Sequence, residues 1–257
     1  LIGTANREGD WFETQVRART GTYYRKLELS SRYEYRFGRT SDRYVVSEDP
    51  DVIELAESAF GTDSVYHTFE LGLSVSNVHF TQVERIDGFS YTEDFTLGQG
   101  VGLSFGRSFR PGFNAYIWDR LGFELAQGYR FGSTLAFLSY DHGLWLHGSD
   151  EIRHTTRLGG RLYSRVTDYL TMVWRVAYLS DWRRDGAEEL VLGGETGLRG
   201  YDRYFRTGDR LAITNIEARF FPSIELHSAV FSPVVFTDFG QTWKHGEEVD
   251  FAAVHAS

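Results

Sequence analysis

Histidine, serine and acidic side chains are the residues of this sequence that could support covalent or metal chemistry. The sequence contains eight histidines. Two pairs of residues lie close enough in sequence to suggest a nucleophile with its base or two metal ligands: Ser139 with His142, and His147 with His154. Neither pair has a third group that would orient the base, as covalent catalysis requires. Asp150 lies between His147 and His154, but loop carboxylates and imidazoles at this spacing are common. We therefore expect no catalytic residue, no bound metal and no cofactor.

Charge and composition exclude several classes of protein. The net charge is −9 and no Lys/Arg cluster suited to phosphate binding occurs, so we expect no nucleic-acid partner. Cysteine is absent, which excludes disulfides and thiolate metal sites. No apolar run approaches the roughly 20 residues of a membrane helix, whereas a membrane β-strand needs only about 9–11 residues with alternate apolar positions. The chain begins without a signal-peptide pattern, and we interpret it as a mature segment.

Apolar residues recur with a period of two along most of the chain, which predicts β-strands. Leu27, Leu29 and Tyr33, for example, alternate with charged residues, and aromatic residues make up 16% of the sequence. Aromatic side chains favour extended structure and membrane interfaces over helix. About ten strands are predicted, over residues 12–18, 26–37, 69–82, 95–105, 121–131, 135–146, 157–166, 170–178, 211–221 and 234–243.

The links between these strands predict a barrel. Long links at 38–65 and 183–209 and tight ones at 132–133 and 167–168 alternate, as do the external loops and periplasmic turns of outer-membrane barrels, although short links at 87–93 and 148–153 reduce the contrast. A soluble sandwich would share the alternating polarity, but several predicted strands exceed the soluble average of about 5–6 residues. We therefore predict one all-β domain over residues 1–257, a transmembrane antiparallel β-barrel.

One predicted strand has a face nearly free of side chains. Between residues 95 and 105, Leu97, Val101 and Leu103 alternate with glycine and serine. We expect these three apolar side chains on one face and the small residues on the other. Small residues within a strand indicate either a close approach by another part of the protein or a bend in the strand.

Three motifs then occur in order, after a glycine-rich segment at 193–197: Arg199-Gly200-Tyr201, Asn215-Ile216-Glu217-Ala218-Arg219-Phe220 and Phe236-Thr237-Asp238-Phe239-Gly240. The combination resembles the bacterial surface-antigen domain of the BamA/TamA-type outer-membrane barrel superfamily, which includes two-partner-secretion transporters and patatin-linked barrels. In that superfamily a long external loop folds back into the lumen and presents an Arg-Gly-aromatic tip. A later strand carries a Phe-x-Asp-x-Gly pattern. The resemblance implies that these motifs form a loop-docking site.

The residues of the last motif are consistent with this interpretation. Phe236, Asp238 and Gly240 share one face of a strand, so Asp238 is expected to point into the lumen and to need a partner there. A guanidinium suits this role because it stays charged and its planar fork matches a carboxylate. The resemblance supplies Arg199 as that partner. Glu217, together with Arg219, adds lumen charges beside it.

The resemblance also implies a function, a location and partners. It implies a barrel of the Gram-negative outer membrane that inserts or translocates other proteins and is not an enzyme. The expected partners are outer-membrane lipid and lipopolysaccharide, a client polypeptide, and periplasmic accessory domains or proteins. Family barrels have sixteen strands, so we expect both ends of the barrel to be missing from the chain.

Three alternatives remain open at this point. Within the family, the barrel could anchor or export a fused patatin-like hydrolase, whose catalytic part would precede Leu1. A barrel enzyme would use the Ser139 or histidine pairs described above. A passive pore would suit the lumen charges, although a glycine-rich loop that plugs the lumen argues against high conductance.

Overall fold

The computed structural model describes residues 2–46, 64–88, 92–113, 115–183, 190–222, 225–226, 229–247 and 254–256. Within these residues, no helix has the length and apolar character needed to cross a membrane. Most of the link expected at 38–65 lies outside the described residues. The described residues of that range belong to strands, one of which ends at Val46 and the next of which begins at Ser64.

Fifteen strands are present in these described ranges. They are β1 Ile2–Gly21, β2 Arg25–Val46, β3 Ser64–Glu84, β4 Thr92–Phe109, β5 Tyr116–Phe131, β6 Thr134–His147, β7 Asp150–Thr167, β8 Leu170–Arg183, β9 Leu190–Leu192, β10 Arg206–Gly208, β11 Arg210–Phe220, β12 Glu225–Leu226, β13 Ala229–Val230, β14 Val234–Trp243 and β15 His255–Ala256.

Eleven of the described strands form one antiparallel sheet in the order β1 to β8, β11, β14 and β15. Strands β9 and β10 pair with each other, as do β12 and β13. The ten strands predicted from the two-residue period are all present, and the short strands β9, β10, β12, β13 and β15 are additions. The all-β fold class is confirmed, with one large antiparallel sheet.

The outer face of this sheet is apolar over much of its width. The pairing register aligns Leu29 with Leu73 and Leu73 with Leu103, so these side chains form one row across three strands. Leu103 is 58% exposed. Aromatic side chains lie beyond such rows towards both ends of the strands: Tyr23, Tyr24 and Phe80 at one end, and Phe69, Phe109 and Phe113 at the other. We call this surface the outer band.

The opposite face is concave, and one link folds across it. The rings of Phe95 on β4 and Tyr163 on β7 lie 5.8 Å apart although two strands separate β4 from β7. Residues 85–88, which follow β3, extend across this concavity, and we call them the inner turn. Ile86 is fully buried there among apolar side chains of the wall: Leu97, Leu135, Tyr163 and Val173.

Polar contacts hold the inner turn in place. The Glu93 carboxylate accepts hydrogen bonds from the backbone N–H groups of Asp87 and Gly88. The Thr171 hydroxyl on β8 donates to the Arg85 carbonyl at 2.7 Å. Arg85 has a φ of 62°, a left-handed backbone conformation that residues other than glycine rarely adopt and that the surroundings must maintain. The inner turn is therefore held in a defined conformation within the interior.

Strand β4 changes the face it presents at Gly98. Leu97 is buried on the concave side, whereas Val101 and Leu103 are exposed on the outer side. The expectation that all three share one face is wrong. Gly98 has a φ of 107°, and a Cβ there would lie 2.1 Å from the Asn77 carbonyl oxygen, so only glycine can reverse the alternation here. Beyond Gly98, the small residues face the concavity.

The expected alternation of long and tight links is only partly correct. The link 148–149 between β6 and β7 is tight, although it lies at the end of the sheet that carries the long links. The link 221–233 between β11 and β14 is long at the opposite end, because it contains the β12–β13 hairpin. The length of a link therefore depends on whether it contains a small structure such as this hairpin, and not only on the end of the sheet at which it lies.

Candidate loop-docking site

The link between β8 and β11 places a loop against the concave face. Strands β9 and β10 form a short hairpin, and we call the residues between them, 193–205, the inner loop. Leu192 and Leu198 are fully buried and pack with Leu211 and Ile213 of β11. Burial of an aliphatic side chain contributes about 1.5–3 kcal/mol. Apolar contact therefore seats the loop before any charge is considered.

Two glycines allow the inner loop to lie this close. A Cβ on Gly193 would lie 2.3 Å from the carbonyl oxygens of Asp202 and Arg203. Gly197 has a φ of 113°, and a Cβ there would lie 3.2 Å from Ile213 Cδ1. Both positions require the absence of a side chain, because the backbone or its neighbours occupy the space.

Gly197→Ala is expected to destabilise the docked loop by at least about 1 kcal/mol, since alanine is strained at positive φ and its methyl group would press on Ile213. The matched control is Gly112→Ala, which has a φ of 76° but no atom within 4 Å of the added Cβ. Thermal unfolding of both variants measures the difference. Equal losses at the two sites would show that packing of the loop against Ile213 contributes nothing.

The centre of the site is an ion pair between Arg199 of the inner loop and Asp238 of β14. Arg199 Nε donates to Asp238 Oδ2 at 2.7 Å, and Arg199 Nη2 donates to Asp238 Oδ1 at 2.6 Å. The two bonds form a bidentate fork, the strongest arrangement of these groups. The Asp238 side chain is completely buried. This pair joins the loop to the wall.

Further donors complete the environment of the buried carboxylate. The Arg199 backbone N–H donates to Asp238 Oδ2 at 3.1 Å, and Asn215 Nδ2 donates to Asp238 Oδ1 at 2.7 Å. The same Asn215 amide donates to the Gly197 carbonyl at 2.7 Å. The Arg199 guanidinium also lies 3.7 Å from the centre of the Phe236 ring, within the range of a cation–π contact. The carboxylate thus has every partner that burial demands.

A second carboxylate extends the contacts along β11. Arg199 Nη1 donates to Glu217 Oε1 at 2.8 Å, and Arg219 Nε donates to Glu217 Oε2 at 2.8 Å. Arg219 then reaches the inner turn, where it contacts the Asp87 carboxylate and donates to the Ile86 carbonyl at 2.9 Å. We call these alternating charges, from Asp238 to Asp87, the charge chain. The hydrogen bonds that Arg199 donates to Asp238, with a smaller contribution from those to Glu217, raise the pKa of Arg199 despite its partial burial, so the guanidinium stays charged.

The other predicted site residues surround this centre. Gly200 has a φ of 86° at the loop tip. A Cβ on Gly240 would lie 3.0 Å from Leu192 Cδ1, so the wall is thin where the loop packs. Tyr201 bonds elsewhere, because its hydroxyl donates to the Ala256 carbonyl at 2.8 Å and its ring packs against Phe205.

Other contributors to the site were not predicted. Leu192 and Leu198 flank the glycine-rich segment, and that apolar pattern could have indicated them. Asp87 and Ile86 had no signal in the sequence, since 132 residues separate Asp87 from its partner Arg219.

The residues considered for catalysis either lie on opposite faces of the wall or contact other groups. Ser139 lies on the concave face beside Gly159, whereas His142 is in register with outward-facing Phe123 and contacts Thr156 Oγ1 at 3.1 Å. The wall lies between them. His154 contacts Glu151, and His147 contacts a backbone carbonyl. Among the described residues, no group of three or more His, Asp or Glu side chains could hold a metal ion. Absence of enzyme activity stays a prediction.

Comparison with known proteins gives only distant likenesses among solved structures. No protein-family model matches the sequence, and no curated protein matches it. The solved structure of CdiB from Acinetobacter baumannii is similar with a TM-score of 0.36 and 14% sequence identity. The likeness covers 91% of this chain, which spans 40% of the CdiB chain. No conclusion about function follows from a likeness at this TM-score.

Proposed function

We propose that this chain forms wall strands and the inner loop of a Gram-negative outer-membrane β-barrel that inserts or translocates other proteins. The observation that carries the proposal is the Arg199–Asp238 pair, in which the Asp238 side chain is completely buried and which joins the motif on the inner loop to the motif on β14. A surface loop has no need of a bidentate bond to a buried carboxylate with a second carboxylate, Glu217, beside it. The proposed mechanism is a conformational change and not a covalent reaction, because an ion pair can break and re-form as the inner loop leaves and returns.

The outer band supports a location in lipid. Monomeric soluble proteins rarely expose contiguous apolar patches larger than a few hundred Å². Here, rows such as Leu29, Leu73 and Leu103 face outward across adjacent strands, with aromatic side chains towards both strand ends. Outer-membrane barrels have this arrangement. The proposed partners are accordingly outer-membrane lipid and lipopolysaccharide, with a client polypeptide in the lumen and periplasmic accessory domains or proteins. We further propose that the described strands belong to a sixteen-stranded barrel.

Leu103→Arg tests this location. In lipid, arginine near the middle of a barrel strand is expected to lower the free energy of unfolding by about 2–4 kcal/mol. The control, Ser104→Arg, places the same charge on the concave face, where Gly72 and Gly122 leave space on either side. Urea titration of the protein refolded into phospholipid vesicles gives both values. Parent-like stability of Leu103→Arg would show that the outer band does not face lipid.

The function itself is tested by deleting the gene in its native bacterium and comparing the outer-membrane, surface and secreted proteins with those of the parent. We expect specific proteins to be lost, to return with the intact gene, and to return poorly with Arg199→Ala. Loss of a surface lipid-hydrolase activity alone would instead favour an anchor for a fused hydrolase. An unchanged protein complement, together with high conductance of the purified protein in planar bilayers, would favour a passive pore.

A further inference from the structure

Two arginines lie directly opposite each other on the concave face. Arg161 of β7 and Arg175 of β8 are cross-strand partners, in a row that continues to Asn215 and Asp238. Like charges at directly opposed positions destabilise an antiparallel pair. The two arginines therefore do not stabilise the pairing of these strands, and a role in binding would account for them.

Neighbouring arginines of the same face have acidic partners. Arg120 pairs with Glu70, Arg153 pairs with Asp181, and Arg219 pairs with Glu217. Within the described ranges, neither Arg161 nor Arg175 has a carboxylate within 4.0 Å, and the buried Nε of Arg175 has no hydrogen-bond partner there. A guanidinium presents several fixed donors, so this pair is suited to a negatively charged acceptor.

The two side chains line a cavity of about 730 Å³. Part of its wall is bare backbone, because Gly98, Gly100, Gly128 and Gly159 are among the lining residues. Phe137 and Tyr163 line part of it, and Thr196 of the inner loop forms another part. The cavity thus lies beside the docked loop and extends across strands β3 to β8 and β11.

We propose that Arg161 and Arg175 bind the carboxylate side chains of an extended acidic polypeptide segment in the lumen. The proposal rests on the proposed function and names the chemistry of the client. A polypeptide fits better than a lipid phosphate because the arginines face the concave side, and the wall separates them from the apolar outer band. The glycines of the wall leave room for side chains of varied size, while the arginine pair selects for acidic residues.

The test uses the purified full-length protein in neutral detergent. A fluorescently labelled peptide of alternating Glu and Gly residues is titrated by anisotropy, beside its counterpart with Gln in place of Glu. We expect the Glu peptide to bind at least about tenfold more tightly, and the Arg161→Gln/Arg175→Gln double variant to lose that preference. Since the two arginines repel each other, the double variant is expected to be as heat-stable as the parent, which separates lost binding from misfolding.

The matched control is Arg157→Gln, on the same strand and face but opposite Asp141. It removes one lumen charge and is expected to leave the preference for the Glu peptide within about twofold of the parent.

Equal affinity for the Glu and Gln peptides, or a parent-like preference in the double variant, would overturn the proposal. Displacement of the Glu peptide by equimolar short-chain phosphatidylglycerol would assign the site to lipid phosphate and overturn the polypeptide assignment. The proposed function has its own test in the deletion strain, so either can fail alone.

Discussion

Arg199→Asp is expected to lower the free energy of unfolding by about 3–5 kcal/mol, because it leaves a fully buried carboxylate without its counterion and adds a second negative charge beside it. Asp238→Arg is expected to have an effect of the same size for the converse reason. The double variant should recover part of the loss. Recovery is incomplete because an aspartate at position 199 would face Glu217, and the Asn215 amide would keep only one of its two acceptors, the Gly197 carbonyl.

The unfolding temperature of the folded band on detergent gels, together with export of the client, measures these effects. Arg203→Asp is the control, because Arg203 belongs to the same loop and pairs with Glu195 while both side chains remain more than 60% exposed. Exposed pairs contribute about 0–1 kcal/mol, so this variant should behave much like the parent. Parent-like behaviour of both single variants would mean that the loop is not held through Arg199 and Asp238.

Arg219→Met is expected to loosen the inner turn while the loop stays docked. The change removes the contacts of Arg219 with Glu217, Asp87 and the Ile86 carbonyl. Loss of one member of a buried ionic group destabilises by about 3–5 kcal/mol, although Glu217 retains Arg199, so the lower end of that range applies. We expect the effect to appear at the turn, on the opposite side of the charge chain from the Arg199–Asp238 pair.

A cysteine reporter can detect this, because the native sequence contains no cysteine. Ile86→Cys places a small apolar thiol at a fully buried position, where maleimide labelling should be slow. Combined with Arg219→Met, labelling should accelerate at least about tenfold, as expected when local opening becomes easier by about 1.4 kcal/mol. Arg130→Met is the control, since Arg130 contacts Thr81 and Gly132 but not the turn. Equal labelling rates with and without the Arg219→Met change would separate the turn from the charge chain.

The strands could be predicted because their signal is local. Leu29 and its neighbours alternate with charged residues, and one outward-facing row is enough to fix the phase of a strand. The same argument fails at Leu97, which a positive φ at Gly98 moves to the opposite face. A two-residue period contains no information about a backbone rotation within the strand. The glycines between residues 98 and 102 could be seen in the sequence, but the change of face at Gly98 could not be predicted from them.

The site could be predicted in part for a different reason. Asp238 on an apolar-flanked strand requires a counterion, and the resemblance supplied Arg199. Nothing in the sequence connects Arg219 to Asp87, because that contact exists only when the sheet curves and the inner turn folds under it. Contacts across a concavity depend on the curvature of the whole sheet, which no single segment encodes.

The charge chain has a consequence for the order in which the protein folds. Hairpins such as β5–β6 and β7–β8 involve residues close in sequence and can form early, whereas the contacts that close the interior join residues 39 and 132 positions apart. Until β11 and β14 join the sheet, the inner turn has no Arg219 to bind and the loop has no Asp238. The wall can therefore assemble around a hydrated interior, and water leaves the surroundings of Asp238 only when the last of these strands completes the ion pairs.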